Sequence, residues 1–234
     1  MLSIRILILA LGLLVGKVAT AALLTWQITG TVASVGSPLS HIFSLGDDVR
    51  IVFTFDTLAV DSNPNAPFGD YLSAMAQGEV TVGSYSASFE KQPLFVGNNV
   101  GGAPADVFGF NGLDSGHVLS APDLLGSDGK LYGFDGIYGH FADTSADMLS
   151  TDLLPTSADL LEVHSNQRTL SVSWTTPLLP NVLLANGVGL TDIHLRDITA
   201  VPEPGTLALV FLGLLALRTR SREQAWRRVL PQEL

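Results

Sequence analysis

Leu24-Thr25-Trp26-Gln27-Ile28-Thr29-Gly30-Thr31-Val32 is the stretch that decides the fold. Leu24, Trp26, Ile28, Gly30 and Val32 share one face and Thr25, Gln27, Thr29 and Thr31 the other, which is the period-two alternation of a half-buried strand. Gly36-Ser37-Pro38 ends it with turn chemistry. Val49 to Asp56 follows as a β-branched and aromatic segment behind the turn Gly46-Asp47-Asp48, and the two strands are expected to be antiparallel neighbours.

The same grammar recurs downstream. Glu79–Val82, Gly83-Ser84 and Tyr85–Phe89 form the best local hairpin, because two linking residues with Gly first suit a type II′ turn. Arg168 to Trp174 alternates cleanly, with Leu170, Val172 and Trp174 inward. Further strands are expected at 106–110, 131–134, 137–141, 160–164 and 192–199, and a short helix only within Ser145 to Leu154. Asp61 to Asp70 is nearly all turn residues and reads as a surface loop. Many short strands, Gly and Asn turns and no long helical pattern predict an all-β, antiparallel β-sandwich or jelly-roll-like domain over residues 22–200. No composition break before residue 200 divides it, and no repeat is visible.

The two ends of the chain have different physics. Met1 to Ala22 carries Arg5, an apolar run from Ile6 to Val15, and the small residues Ala19-Thr20-Ala21, the order of a secretory signal helix. Cleavage by signal peptidase is expected between Ala21 and Ala22, so that residues 1–21 are removed; Lys17 is the one feature that favours an uncleaved anchor. At the other end, Pro202 and Pro204 flank Glu203 and keep the backbone extended. Leu207 to Leu217 is wholly apolar or Gly, and Arg218, Arg220, Arg222, Arg227 and Arg228 follow. Eleven residues rise only about 16 Å as a helix, against about 30 Å of hydrocarbon. The segment has no polar face for a soluble domain to leave exposed, and its basic flank can snorkel, so it reads as a short transmembrane helix with cytoplasmic arginines.

The order Val201-Pro202-Glu203-Pro204, Thr206-Leu207-Ala208-Leu209, Gly213-Leu214 and arginine cluster resembles a PEP-CTERM sorting signal over residues 201–220, followed by a basic tail, 221–234, that contains Trp226. The resemblance implies handling by an exosortase, a membrane-embedded cysteine transpeptidase that cuts near Pro-Glu-Pro. Phe53-Thr54-Phe55-Asp56, Asp61-Ser62-Asn63-Pro64 and Gly69-Asp70-Tyr71 resemble other PEP-CTERM proteins more loosely, which implies a recurrent exported β domain and no activity. The implied setting is export across the inner membrane of a Gram-negative-type bacterium, anchoring toward the periplasm, and then the cell surface or extracellular polysaccharide and biofilm matrix.

Charge and composition narrow the function classes. Five basic residues (Arg50, Lys91, Lys130, Arg168 and Arg196) stand against nineteen acids between residues 22 and 200, a net charge of −14. Such a body repels phosphate, which excludes nucleic-acid binding. With no cysteine in the chain, thiol catalysis and thiolate metal sites are also excluded.

Sixteen of those acids are Asp, nine of them from Asp106 to Asp159. Asp serves turns and solubility, and it also ligates calcium, but no calcium-loop spacing is present. His41, His117, His140, His164 and His194 are scattered without a zinc pattern. Gly112-Leu113-Asp114-Ser115-Gly116 and Gly126-Ser127-Asp128-Gly129 lack the spacing of a serine nucleophile elbow. Tyr132, Phe134, Tyr138 and Phe141 are either core or a platform for sugar rings. The reading is therefore a non-enzymatic exported protein without cofactor, metal or catalytic residue. The alternatives are a secreted carbohydrate-active enzyme or a calcium-dependent adhesion module on the same scaffold.

Overall fold

The computed structural model describes residues 23–63, 67–100, 105–112, 117–176 and 187–200, without the side chains of 199 and 200. The signal segment with Ala21 and Ala22, the sorting motif Pro202, Glu203, Pro204, Arg218 and Arg220, and the expected membrane helix 207–217 lie outside the described residues. Among the described residues no helix is long and apolar enough to cross a membrane.

In chain order the strands are β1 (Leu23–Val35), β2 (Asp48–Asp56), β3 (Phe68–Tyr71), β4 (Met75–Val82), β5 (Tyr85–Phe89), β6 (Leu94–Gly97), β7 (Asp106–Asn111), β8 (Val118–Ser120), β9 (Leu124–Leu125), β10 (Leu131–Asp143), β11 (Gln167–Thr175) and β12 (Gly187–Ala200). One helix, α1 (Ala158–His164), and a 3-10 turn at Ser37–Leu39 complete the described elements. Every pairing is antiparallel, and the strands join into one sheet of order β3-β6-β7-β10-β11-β12-β1-β2-β4-β5-β8, with β9 beside β10.

The antiparallel all-β expectation holds, and the packing of layers is achieved by a single curled sheet. Phe53 of β2 meets Phe110 of β7 at 5.3 Å between ring centroids, although four strands separate them in the hydrogen-bonded order. Trp26 meets Phe108 at 5.7 Å, Phe89 meets Phe134 at 5.5 Å and Tyr85 meets Trp174 at 5.2 Å in the same way. These edge-on and tilted arrangements are the ones ring quadrupoles favour. The curl buries the inward face of the long strands: Trp26, Ile28 and Val32 on β1, Val49, Ile51, Phe53 and Phe55 on β2, Leu170, Val172 and Trp174 on β11. That is the face assigned from the alternation.

β1 and β2 pair from Leu23↔Asp56 to Thr31↔Asp48, and the β4–β5 hairpin turns on Gly83 with φ +54° while Ser84 stays at negative φ, as a type II′ turn requires. Gly139 is needed for a different reason. It sits at φ +125° in β10, and a Cβ there would run into the Thr169 carbonyl of β11.

Four expectations are corrected. Leu160 to His164 is the last part of helix α1 and not a strand: Ala158 and Leu161, three apart, are the buried positions, Asp159 lies in the first turn and His164 in the last. These placements suit a helix dipole and outweigh the strand-like Leu-Leu-Glu-Val run. Ser145 to Leu154 forms turns and bends, because the Asp143 carboxylate takes the N–H groups of Ser145 and Asp147 and the Asp106 carboxylate takes that of Leu149, which offers the backbone partners other than a helical ladder.

The expected gap at Asp135-Gly136 is a bulge inside one continuous β10, opposite Phe134↔Trp174 and Gly136↔Ser173. The 61–70 loop ends early, since Phe68 to Tyr71 pairs with β6. β3, β6, β8 and β9 are only two to four residues long, too short for a period to show.

Trp26 is fully buried between Phe53, Phe55 and Phe108. Trp26→Ala is expected to cost about 3–5 kcal/mol of unfolding free energy, measured by urea denaturation, with the main loss in midpoint rather than slope.

Candidate functional site

The polar chemistry of the body is spent internally. Asp106, fully buried, accepts the N–H groups of Asn99 at 3.0 Å and Leu149 at 2.7 Å. Asp143, also buried, accepts from the Ser145 hydroxyl at 2.6 Å, from the N–H groups of Ser145 and Asp147 at 2.9 Å, and from Asn166 Nδ2 at 3.3 Å. The Ser145 hydroxyl bond above all, then the two N–H bonds, hold its carboxyl below the usual range against the opposing effect of burial. Asp128 accepts from the Tyr132 hydroxyl at 2.9 Å and Asp135 from that of Tyr138 at 2.7 Å. Burial pushes the Asp135 carboxyl up, against the bonds from Tyr138 and Thr175.

Among the described aspartates of the middle region, Asp106 and Asp143 are cross-strand partners on β7 and β10 that take N–H groups of the 145–149 segment, while Asp128 and Asp135 each accept a tyrosine hydroxyl elsewhere. No group of three or more His, Asp or Glu side chains fit to hold a metal ion occurs among the described residues. The histidines stay apart. His41 is exposed, His117 and His140 half-buried, His164 exposed at the end of α1, and His194 on β12.

Of the aromatic candidates, Tyr132, Phe134 and Phe141 are buried and belong to the core, while half-buried Tyr138 lies over Gly112, where a Cβ would clash with its ring. A shallow cleft of about 410 Å³ runs beside Asp147 to Leu160, and its one charged lining residue is Asp147. In the core, Trp26 Nε1 and Thr176 Oγ1 are buried without a hydrogen-bond partner among the described residues, and burial, against the neighbouring Trp174 indole, pushes the Tyr85 phenol up to about 12.

The densest polar network was not anticipated from the sequence. Arg168 pairs through Nη1 with Glu162 Oε2 at 2.9 Å, reaches the Ile193 carbonyl at 2.6 Å, donates from Nε to Ser165 Oγ at 2.9 Å, and donates from Nη2 to the Glu162 carbonyl. Glu162 also accepts the Leu195 N–H at 2.8 Å and sits 2.9 Å from His194 Nδ1. Helix α1, β11 and β12 are thus pinned to one another by a single carboxylate and a single guanidinium. Gln92 does similar work at zero exposure, donating to the Ile137 carbonyl and accepting its N–H. The available signal was scarcity, since Arg168 is one of five basic residues in the acidic body.

β12, the strand this network fastens, ends at Ala200. There the comparison with known proteins begins: the family described as PEP-CTERM protein-sorting motif matches residues 200–222. The chain carries a PEP-CTERM sorting motif. PEP-CTERM is the signal that exosortase recognises, and it marks an exported protein that is anchored in a membrane before processing. No curated protein and no solved structure matches the chain. The PEP-CTERM match covers Pro202, Glu203, Pro204, Arg218 and Arg220, and of the β body it includes only Ala200.

Burial raises the Glu162 carboxyl, but the bonds from His194, Leu195 and Arg168 outweigh it and leave the group below its ordinary value. A depressed carboxyl stabilises the fold above its unfolded pKa, about 4.3, and that stability is lost as pH falls through the lower folded value. Glu162→Gln is expected to lower unfolding free energy at pH 7 by about 1–3 kcal/mol and to flatten the loss of stability below about pH 4.5, as measured by urea titrations from pH 7 to pH 3.

Proposed function

We propose that this is a non-enzymatic exported protein of the cell surface or extracellular polysaccharide matrix, delivered by the exosortase route. Signal peptidase removes residues 1–21. The apolar segment 207–217 then holds the curled body, sandwich or jelly-roll-like in its layering, on the periplasmic side of the inner membrane, with Arg218 and Arg220 on the cytoplasmic side. Exosortase cuts near Pro202-Glu203-Pro204 and the body moves on to the surface or the matrix.

The observation that carries this reading is the sorting motif at residues 200–222, which starts where the last strand ends. Support for a non-enzymatic body comes from Asp106, Asp128, Asp135 and Asp143, whose carboxylates are engaged by backbone, serine and tyrosine donors; Asp106 and Asp143 face each other across β7 and β10, but both are buried and bonded to the 145–149 segment rather than lining an open cleft. Hydrolysis of a glycosidic bond needs two carboxyls facing one cleft within about 10 Å. An acidic body also suits an anionic or uncharged polymer setting, where solubility matters more than tight binding.

Expression of a tagged chain in a host with an exosortase is expected to give a shortened, non-membrane product, and Glu203→Ala or Pro202→Ala to leave full-size precursor in the membrane fraction. Wild type and variants of the same size in the same fraction would overturn the reading.

A further inference from the structure

The first and last strands of the body are partners. β1 begins at Leu23, one residue after Ala22, and β12 ends at Ala200, one residue before Val201-Pro202. Their ladder sets Leu24 opposite Ala200, Ile28 opposite Leu195 and Val35 opposite Val188. The chain therefore enters the body and leaves it at the same end of two neighbouring strands, whose spacing is about 4.8 Å. Had the two points lain at opposite ends of a strand like β1, 13 residues long, roughly 40 Å would separate them. Ala22 and Val201 together reach only about 7 Å.

β12 is also the strand on which closure depends. Among the described residues it lies between β11 and β1, so that in the ladder order the β3-β6-β7-β10-β11 half is joined to the β1-β2-β4-β5-β8 half through it. The described pairing runs to Ala200, two residues before Pro202 in the sequence. Pairing and motif share only Ala200, and the described residues that join the sheet all lie upstream of Pro202-Glu203-Pro204.

We propose that the sheet closes before the sorting cut, so that exosortase receives a folded body presenting Pro-Glu-Pro within two residues of its last paired residue, and the cut leaves the fold unchanged. This rests on the reading of 201–220 as a membrane-held sorting segment. Closure needs only that residue 200 has cleared the membrane. It needs neither the C-terminal cut nor separation of the two ends, because the fold brings the start of β1 and the end of β12 side by side.

The test uses the full chain in its membrane, made uncut by Glu203→Ala. The protein has no cysteine, so Thr29→Cys with His194→Cys, at facing positions of β1 and β12, reports their pairing without competing thiols. In the oxidising periplasm the uncut membrane precursor is expected to hold this disulfide to the same extent as the processed wild-type-motif protein, seen on non-reducing gels and by failure to react with a maleimide. As a second readout that needs no cysteines, the uncut precursor is expected to resist trypsin at Arg50 and Arg168 as well as the processed protein does.

An uncut precursor with free thiols and trypsin sensitivity, beside a processed form that has neither, would overturn the order of events while leaving the sorting reading intact. Identical sizes and locations with and without Glu203→Ala would overturn the sorting reading, and the order with it.

Discussion

The pairing of the first strand with the last is the constraint on which the rest of the body depends. β1 and β12 run antiparallel through the middle of the sheet, and each carries a half of the curl on its far side. A long-range contact of this kind, between residues about 170 apart, is costly in chain entropy and is secured only when both ends are present. The structure secures it three times over. The inward side chains Trp26, Ile28, Ile193 and Leu195 are buried together in the core, the ladder extends to the strand ends, and Glu162 with Arg168 ties β12 to α1 and β11.

From that pairing the aromatic core follows. With β1 fixed beside β2 on one side and β12 beside β11 on the other, the outer strands curl until Phe108 and Phe110 of β7 reach Trp26 and Phe53, and Phe134 of β10 reaches Phe89 of β5. Large rings close the gap between the two halves of one sheet, with Ala158 and Leu161 of α1 added to the same core. Glycine at 139 lets β10 pass against the Thr169 carbonyl of β11, where a Cβ would clash. The acids are left to organise the connections, with Asp106 and Asp143 drawing the 144–149 segment inward through its own N–H groups.

The parts of this fold that show in the sequence are those with a local cause. Leu24 to Val32, Val49 to Asp56, the Gly83-Ser84 hairpin and Arg168 to Trp174 alternate visibly, because one face of each is core. Leu160 to His164 misleads, since five residues of Leu-Leu-Glu-Val-His carry no period, and what makes them helical is Leu161 packing inward and Glu162 meeting Arg168 and Leu195. The Ser145 to Leu154 segment misleads for the opposite reason: its apparent helical pattern is overridden by carboxylates 2 and 43 residues away in sequence from the N–H groups they take. The curl of one sheet, rather than two separate layers, is a property of strand order and leaves no local trace. The sorting signal is legible without any structure, because its chemistry is linear: two prolines, an apolar run and arginines in order.

The account describes a folded β body whose first and last strands are neighbours, with a signal proposed to be cut off beyond each. Mass spectrometry of the two ends of the mature protein, recovered from outside the cell, tests this most directly. The account predicts a chain that starts at Ala22, to within two residues, and ends close to Pro202-Glu203-Pro204, with residues 207–234 missing. A mature chain that still carries Leu207 to Leu234 would contradict it.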